Sequence, residues 1–194
     1  MKDDLGRILA QAGVLREGHF LLTSGRHSDR YFEKFRILEQ PGVCEKFAAR
    51  LAEHFRTATV AAICGPTTGG IIIAYEVARQ LGVRCVIAEK AETGRKIGRG
   101  FRLGPEDRVL VVDDVLTTGG SIAETLAAVR QTGAQVAGVG VFIDRSSGVA
   151  FGEPFFAAYR QEVKTWEPAE CPLCRGGVPL EAPGRGDKRA AVSG

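Results

Sequence analysis

The sequence contains no long hydrophobic run, which argues against a protein that spans a membrane. No segment of the 194 residues approaches the ~18 consecutive apolar residues that a membrane-spanning helix needs. The first residues, Met-Lys-Asp-Asp, are unlike a secretory signal peptide. Charge of one sign is not in large excess either, and the formal net charge of +3 is too small to indicate nucleic-acid binding by itself. We therefore expect a cytoplasmic protein with neither a membrane nor a nucleic acid as its partner.

Cysteine and histidine are scarce, with five and three residues respectively. Cys44, Cys64 and Cys85 each lie inside an apolar pattern, where a thiol is usually a small buried side chain. Cys171 and Cys174 form Cys-Pro-Leu-Cys, which has the spacing of metal ligands. A closed zinc site needs four ligands, however, and no second pair is apparent in the sequence. We predict a plain turn here, and a zinc or redox role, including a metal shared across a dimer, is the alternative.

No Gly-x-x-x-x-Gly-Lys-Ser/Thr loop occurs in the chain, which excludes a P-loop nucleotide site. The chain has instead a distinctive stretch at residues 108–121, Arg-Val-Leu-Val-Val-Asp-Asp-Val-Leu-Thr-Thr-Gly-Gly-Ser. Residues 109–112 are typical of a strand that is buried on both faces of a parallel sheet. Asp113 and Asp114 follow where that strand ends, and apolar residues at helical spacing begin at Ile122. The stretch therefore predicts a buried strand, a polar turn and a helix.

The polar turn predicts a phosphate site at the helix N-terminus, because its glycines let the backbone approach a ligand and the first N–H groups of the helix face it. Asp113 and Asp114 would repel a phosphate unless they bind something else, and sugar hydroxyls or a hydrated Mg²⁺ are the natural candidates. Together these groups describe a site for a phosphorylated ribose. A buried strand and a capped helix without any ligand is the alternative. The turn consists of Thr117, Thr118, Gly119, Gly120 and Ser121.

The run Val-Val-Asp-Asp-Val-Leu-Thr-Thr-Gly-Gly-Ser resembles the phosphoribosyl pyrophosphate (PRPP) signature of type I phosphoribosyltransferases. The resemblance covers roughly residues 3–168 and implies an α/β fold, a Rossmann-like central parallel sheet flanked by helices with a small N-terminal hood. The hood is expected at about 1–36 together with C-terminal strands, so that one domain spans 1–168. The remainder, 169–194, is expected to be the cysteine knuckle and a tail that is disordered from residue 181 onward. The resemblance further implies that the polar turn holds the 5-phosphate and that Asp113 and Asp114 bind the ribose hydroxyls. Mg²⁺ would be carried by PRPP and reach these carboxylates through water at most.

A second glycine-rich junction follows the apolar strand predicted at residues 60–64, where Gly-Pro-Thr-Thr-Gly-Gly leads into a helix predicted at 71–81. A doubly wound sheet brings two such junctions together at the ends of its strands. The resemblance implies that this loop binds the pyrophosphate of PRPP. Some members carry a lysine where Gly69 stands, so another cation must replace it here. The pyrophosphate donors are expected to be Thr67, Thr68, Gly69 and Gly70.

Residues 89–102 carry five cations and three glycines without helical or strand periodicity, which predicts a mobile basic loop that closes over a polyanion. An RNA-binding patch is the alternative. In the family that the sequence resembles, this loop reaches into the site of the neighbouring subunit. The resemblance therefore implies a homodimer in which the 90–102 loop is shared between subunits. Lys90 and Lys96 are the expected catalytic residues beside Asp113 and Asp114, and Arg95 and Lys96 are expected to reach across. The five cations are Lys90, Arg95, Lys96, Arg99 and Arg102.

Two further segments are similar to the orotate phosphoribosyltransferases of this family. The first is Phe-Leu-Leu-Thr-Ser-Gly-Arg-His-Ser-Asp-Arg-Tyr-Phe at residues 20–32, which is similar to their hood. The second is a strand predicted at 136–143 that ends in Asp144 and Arg145, the arginine that in those enzymes grips the orotate carboxylate with its planar fork. The implied orotate-binding residues are Arg26, His27, Tyr31, Phe32, Lys34, Thr117 and Arg145.

The resemblance thus implies a glycosyltransferase of pyrimidine biosynthesis that converts orotate and PRPP to orotidine 5'-monophosphate and pyrophosphate. A purine or xanthine phosphoribosyltransferase on the same scaffold is one alternative. A PRPP-sensing regulator that binds nucleic acid without catalysis is another.

Overall fold

The chain alternates strands and helices through most of its length. The computed structural model describes residues 2–22, 24–98, 100–146 and 148–183, without the side chains of residues 2 and 3. In chain order its elements are α1 (Lys2–Gln11), β1 (Leu15–Leu21), β2 (His27–Phe32), α2 (Phe35–Leu38), α3 (Pro41–Phe55), β3 (Ala62–Pro66), α4 (Gly69–Leu81), β4 (Arg84–Lys90), β5 (Arg95–Ile97), β6 (Arg108–Leu116), α5 (Gly120–Gln131), β7 (Gln135–Asp144), β8 (Phe155–Arg160), β9 (Thr165–Trp166), a 3₁₀ turn (Pro168–Glu170) and α6 (Pro172–Arg175).

A six-stranded sheet in the order β5-β4-β3-β6-β7-β8 forms the centre of the fold. All its strands are parallel except β5, which runs antiparallel to β4. β6 lies in the middle, so the carboxyl ends of β3, β4, β6 and β7 meet at one edge of the sheet. The predicted α/β fold with a flanked, mainly parallel sheet is therefore confirmed.

The apolar run of β6 packs on both faces of the sheet, because successive strand side chains point to opposite sides. Leu110 and Val112 pack in the cluster that contains α3 and α4, whereas Val109 and Val111 pack in the cluster that contains α5. All four of these side chains are fully buried. Within the described residues, no helix combines the length and the apolar character needed to cross a membrane.

The hood is a second, three-stranded antiparallel sheet in the order β1-β2-β9. Its third strand comes from the C-terminal part of the chain, and His27 pairs with Trp166 across β2 and β9. The chain then continues through α6 and returns to β1, where Phe20 forms a bridge with Glu181. The predicted disorder from residue 181 is thus wrong for Glu181, whose N–H donates to the His19 carbonyl at 2.8 Å. Residues 184–194 of the predicted tail lie outside the described residues.

The basic segment predicted as a loop without strands contains part of a hairpin. Ala88, Glu89 and Lys90 at the end of β4 pair with the three residues of β5. A strand of three residues is too short to show a period of two in the sequence. The prediction of a loop is therefore wrong for residues 95–97, and Arg99 lies outside the described residues.

Candidate active site

The polar turn after β6 has the backbone shape of an anion cradle. Gly119 is the N-cap residue of α5, its φ is 82°, and no side chain forms a capping hydrogen bond there. A Cβ on Gly119 would lie 2.9 Å from Val149 Cγ1, so both the conformation and the space require glycine. The first N–H groups of α5 have no helical acceptor and no capping side chain, which leaves them to bind an anion. Thr117 and Thr118 are exposed beside them and Ser121 is half-buried.

Asp113 and Asp114 lie in the last part of β6, and both side chains are buried. Asp113 Oδ1 accepts the Asp114 N–H at 2.9 Å, and Asp114 Oδ1 accepts the Val115 N–H at 2.6 Å. Lys34 from the hood places its Nζ 2.9 Å from Asp114 Oδ2. Burial, together with the neighbouring charge of Asp114, raises the pKa of Asp113 to about 6. The pair can accept hydrogen bonds from ligand hydroxyls, and the Lys34 ammonium balances one of its charges.

The second glycine-rich loop packs directly against this carboxylate pair. Thr67 and Thr68 connect β3 to α4, which also begins without a side-chain cap. A Cβ on Gly69 would lie 2.4 Å from Asp114 Oδ2 and 3.3 Å from Leu38 Cδ1. The two loops can approach this closely only because Gly69 has no side chain, so a lysine at this position does not fit the observed packing. The structure therefore brings the two predicted anion loops together.

Arg95 joins the two loops. Its Nη1 donates to Thr67 Oγ1 at 3.2 Å, and its Nη2 donates to Ser121 Oγ at 3.3 Å. Its Nε lies 3.4 Å from Glu124 Oε2, and the residue is only 8% exposed. The expectation that Arg95 reaches across to a neighbouring subunit is corrected, because the guanidinium points into the site of its own chain. Sequence analysis missed this placement, since it depends on which face of the short strand β5 turns inward.

Lys90 and Lys96 differ from Arg95. Both are exposed, and neither has an ion-pair partner among the described residues. They lie at the end of β4 and in the middle of β5, on the hairpin that forms one edge of the sheet. Their ammonium groups are therefore available to bind an anion that is not part of this chain.

Arg145 lies immediately after β7, next to the polar turn, because its N–H donates to the Leu116 carbonyl at 2.9 Å. Its guanidinium carbon lies 5.1 Å from the centre of the Phe32 ring, and its buried Nε has no hydrogen-bond partner. Burial lowers the pKa of Arg145, while the nearby Tyr31 acts in the opposite direction. No acidic side chain pairs with this guanidinium among the described residues. A guanidinium in this setting is able to bind a carboxylate.

The hood contributes some of the predicted residues to this site and not others. Tyr31, Phe32 and Lys34 are brought to Arg145 and Asp114. The Arg26 guanidinium instead donates to the side chain and the carbonyl of Thr165, both at 3.0 Å, and pairs with Glu167. Arg26 is therefore engaged by the C-terminal segment.

His27, expected to bind orotate, is buried away from that site. Its Nδ1 lies 2.9 Å from His19 Nε2 and 3.3 Å from Cys174 Sγ. The prediction for His27 is corrected, because its ring is buried against His19 and Cys174. The prediction of a plain turn at Cys171 and Cys174 was also incomplete, since the fold supplies two histidines beside them. One sequence signal was available: a hairpin over this segment places His19 and His27 diagonally on neighbouring strands.

The comparisons with known proteins agree with this geometry. The family described as "Phosphoribosyl transferase domain" matches residues 36–153. The orotate phosphoribosyltransferase of Caldanaerobacter subterraneus subsp. tengcongensis is 46% identical over 184 residues, which cover 94% of this chain and 97% of that protein. The orotate phosphoribosyltransferase of Chlorobaculum parvum is 44% identical over 174 residues, or 89% of this chain and 90% of that protein. The crystal structure of orotate phosphoribosyltransferase from Aeropyrum pernix superposes with a TM-score of 0.71 at 28% identity, covering 80% of this chain and 93% of that one.

Proposed function

The chain belongs to the phosphoribosyl transferase family, and from that membership we propose that its site transfers the phosphoribosyl group of PRPP to orotate. The chain is an orotate phosphoribosyltransferase, a glycosyltransferase of pyrimidine biosynthesis. The products are orotidine 5'-monophosphate and pyrophosphate. The roles of the individual residues, the metal and the assembly are the further parts of the proposal.

The choice of base rests on the guanidinium of Arg145, which pairs with no acidic side chain in the part of the chain that the structure describes. It lies over Phe32 with its Nε unsatisfied, and it is tied by its backbone to the end of β6. A guanidinium fork binds a carboxylate through two parallel charge-assisted hydrogen bonds. Orotate carries such a carboxylate and a purine base does not. We therefore assign the orotate end of the site to Arg145, with Tyr31, Phe32 and Lys34 beside it and Thr117 at its border.

The PRPP end of the site is assigned from the α5 N-terminus outward. The turn at residues 117–121 would hold the 5-phosphate through its N–H groups and hydroxyls. Asp113 and Asp114 would accept the ribose hydroxyls, for which their buried, hydrogen-bonded oxygens are suited. The pyrophosphate would lie against the loop at 67–70, where Arg95 already joins Thr67 to Ser121.

We propose that Mg²⁺ enters the site with PRPP. The carboxylate oxygens of Asp113 and Asp114 are hard donors of the kind that Mg²⁺ takes directly or through its water shell, so these residues fit the ion. When bound, Mg²⁺ supplies charge neutralisation to the departing pyrophosphate. Lys34 already occupies Asp114 Oδ2, which favours contact through water over direct coordination.

The chain's own contribution to the reaction is positioning and charge. The orotate nitrogen attacks C1 of the ribose while pyrophosphate leaves, through a transition state with oxocarbenium character. Such a step gains more from alignment and from cations near the leaving group than from a strong base. Arg145 aligns the orotate ring, Asp113 and Asp114 fix the ribose, and Arg95 faces the leaving group.

We also propose a homodimer in which the basic hairpin of one subunit completes the site of the other. Lys90 and Lys96 are exposed cations without an ion-pair partner among the described residues, on a hairpin at the edge of the sheet. The pyrophosphate group of PRPP bound at the 67–70 loop of a second copy would give them an anion to bind. A cytoplasmic location is part of the same proposal, and it suits the buried thiols of Cys44 and Cys64, which a reducing compartment would keep reduced.

The experiment that tests the proposal follows orotate absorbance with purified protein, PRPP and magnesium, and compares Arg145→Ala and Arg145→Lys with the native chain. Losing a charge-assisted bidentate contact costs about 1.5–3 kcal/mol, so we expect the KM for orotate to rise about 10- to 100-fold in Arg145→Ala. The KM for PRPP should change far less. Arg145→Lys should recover only part of the loss, because an ammonium lacks the fork.

Arg160→Ala is the matched control, since Arg160 also lies over an aromatic ring, 5.6 Å from the centre of Phe155, but is exposed. It should leave the KM for orotate nearly unchanged. Equal increases of both KM values in Arg145→Ala would refute the role of Arg145. Turnover of a purine with no consumption of orotate would refute the choice of base.

A further inference from the structure

Four side chains that the catalytic proposal does not use converge where the hood meets the C-terminal segment. They are His19, His27, Cys171 and Cys174, and one ligand atom from each lies within 4.8 Å of all the others. The histidines come from β1 and β2, and the cysteines lie just before and inside α6. The histidine pair and the cysteine pair are about 150 residues apart in the sequence. The sequence alone therefore does not indicate that they lie together.

The distances within this cluster match a tetrahedral metal centre. His19 Nε2 and His27 Nδ1 are 2.9 Å apart, and the three recorded sulfur–nitrogen distances are 3.3, 3.4 and 3.7 Å. Zinc–nitrogen bonds of about 2.0–2.1 Å and zinc–sulfur bonds of about 2.3 Å at tetrahedral angles give about 3.3 Å between nitrogens and about 3.6 Å between nitrogen and sulfur. The four recorded distances therefore lie within a few tenths of an ångström of those in a zinc centre, and no two of the four ligand atoms are more than 4.8 Å apart.

Hydrogen bonding alone does not account for the cluster. His19 Nδ1 lies 2.8 Å from the Val178 carbonyl oxygen, which can only accept, so this nitrogen carries the proton. Neutral His19 then has a single lone pair on Nε2. Three groups face that lone pair: His27 Nδ1, Cys171 Sγ and Cys174 Sγ. One lone pair cannot accept from all three, whereas a cation between the four atoms satisfies every one of them.

The surroundings also fit a metal ligand set. The hydrogen bond from His19 Nδ1 to Val178 fixes the ring orientation, as an outer partner of a metal-bound histidine usually does. His19, His27 and Cys171 are buried, at 2%, 5% and 0% exposure, and Cys174 closes the cluster on the solvent side. Two thiolates, two neutral imidazoles and Zn²⁺ form a neutral unit, so its burial carries little cost.

We propose that His19, His27, Cys171 and Cys174 bind one structural Zn²⁺ ion per chain. All four coordination positions are protein atoms, which is typical of a structural zinc site, whereas a catalytic one keeps a position open for water or substrate. The site is separate from the magnesium that accompanies PRPP. It holds α6 and the return segment, whose Glu181 bonds to β1, against the hood strands β1 and β2.

Metal analysis of the untagged, full-length protein tests the proposal directly, and the tag is omitted because polyhistidine binds metals itself. We expect one equivalent of zinc after gel filtration in reducing buffer. Cys174→Ser should lose most of it, and because Cys174 is exposed this variant leaves the core intact. Cys85→Ser, a change at a half-buried thiol in β4, is the matched control and should retain the zinc.

Cobalt substitution of the native chain gives a readout that does not depend on any variant folding. Apo-protein prepared with a chelator and given Co²⁺ should develop the visible absorption bands of a four-coordinate ion and a thiolate-to-cobalt charge-transfer band. Adding Zn²⁺ should displace Co²⁺ and abolish these bands. Three results would overturn the proposal. They are a reduced native chain that takes up neither ion, a Cys174→Ser variant that retains as much zinc as Cys85→Ser, and a disulfide between Cys171 and Cys174 in the protein isolated without oxidant.

Discussion

Gly69→Ala tests whether the contact between the loop at residues 67–70 and Asp114 holds the candidate site together. The added Cβ would lie 2.4 Å from Asp114 Oδ2, a distance that no real contact tolerates, and 3.3 Å from Leu38 Cδ1. Asp114 is buried and held by the Val115 N–H and by Lys34, so it cannot move without breaking one of these contacts. We therefore expect both the fold and the binding of PRPP to suffer.

Gly42→Ala supplies a matched comparison from the same chain. Both glycines lie in the first turn of a helix, but a Cβ on Gly42 meets nothing within 4 Å. Replacing an unconstrained glycine by alanine stabilises a protein by about 0.4–1 kcal/mol through the unfolded state. Overpacking at Gly69 costs about 1–3 kcal/mol in addition. For a chain of this size each kcal/mol corresponds to about 2–4 °C, so the Tm values of the two variants should differ by about 2–12 °C.

Thermal unfolding and steady-state kinetics of both variants measure the two effects. In Gly69→Ala the KM for PRPP should rise about tenfold or more, because a displaced Asp114 loses a charge-assisted contact worth about 1.5–3 kcal/mol. Gly42→Ala should keep both native KM values. The reasoning would be refuted by a Gly69→Ala variant that is as stable as Gly42→Ala and binds PRPP as the native enzyme does.

Three other predictions concern the charges of the site. The pKa of Asp113 is raised to about 6, so its ionised form, which we propose accepts the ribose hydroxyls, is lost as the pH falls through 6. The value of kcat/KM for PRPP should therefore fall below pH 6, and Asp113→Asn should not show this decrease. Because the raised pKa means that the ionised carboxylate destabilises the fold, Asp113→Asn should also have the higher Tm above pH 6, and a lower Tm would contradict this. Arg95→Lys should raise the KM for PRPP about tenfold by removing the fork between Thr67 and Ser121, and an unchanged value would show that the bridge is only structural. The shared hairpin can be tested by co-expressing a Lys90→Ala/Lys96→Ala subunit with an Asp113→Asn subunit. If each hairpin serves the other subunit, the heterodimer has one intact site and about half of the native activity. If each hairpin serves its own subunit, the heterodimer has no intact site and activity is not recovered.

The parts of the fold that depend on local pattern were predictable from the sequence. The apolar run of β6 is buried on both faces, and the two glycine-rich junctions meet because parallel strands end at the same edge of the sheet. The special backbone of Gly119 and the close approach at Gly69 also follow from turn chemistry that glycine alone permits. These features need only a few neighbouring residues to be recognised.

The features that sequence analysis missed depend on long-range register. Arg95 points into its own site because of the way a three-residue strand pairs with β4, and no periodicity reveals that. His27 faces Cys174 instead of the ligand because β9 and α6 return to cover the hood, 139 and 147 residues further along the chain. The resemblance to known hoods placed both Arg26 and His27 at the base site, whereas the C-terminal segment of this chain engages both.

The hood is consequently fixed at two ends by unrelated chemistry. At one end His27 enters the cysteine–histidine cluster, and at the other Phe32 lies under Arg145, with Lys34 just beyond it on Asp114. At about 3.3 Å per residue, β2 spans about 16 Å between His27 and Phe32. All the residues that we assign to the substrates precede residue 146 in the sequence. Residues 165–181 nevertheless hold the His27 end of β2, the strand that leads to Phe32 and Lys34. We therefore expect the C-terminal segment to influence orotate binding by holding β2, because none of the residues that we assign to orotate belongs to that segment.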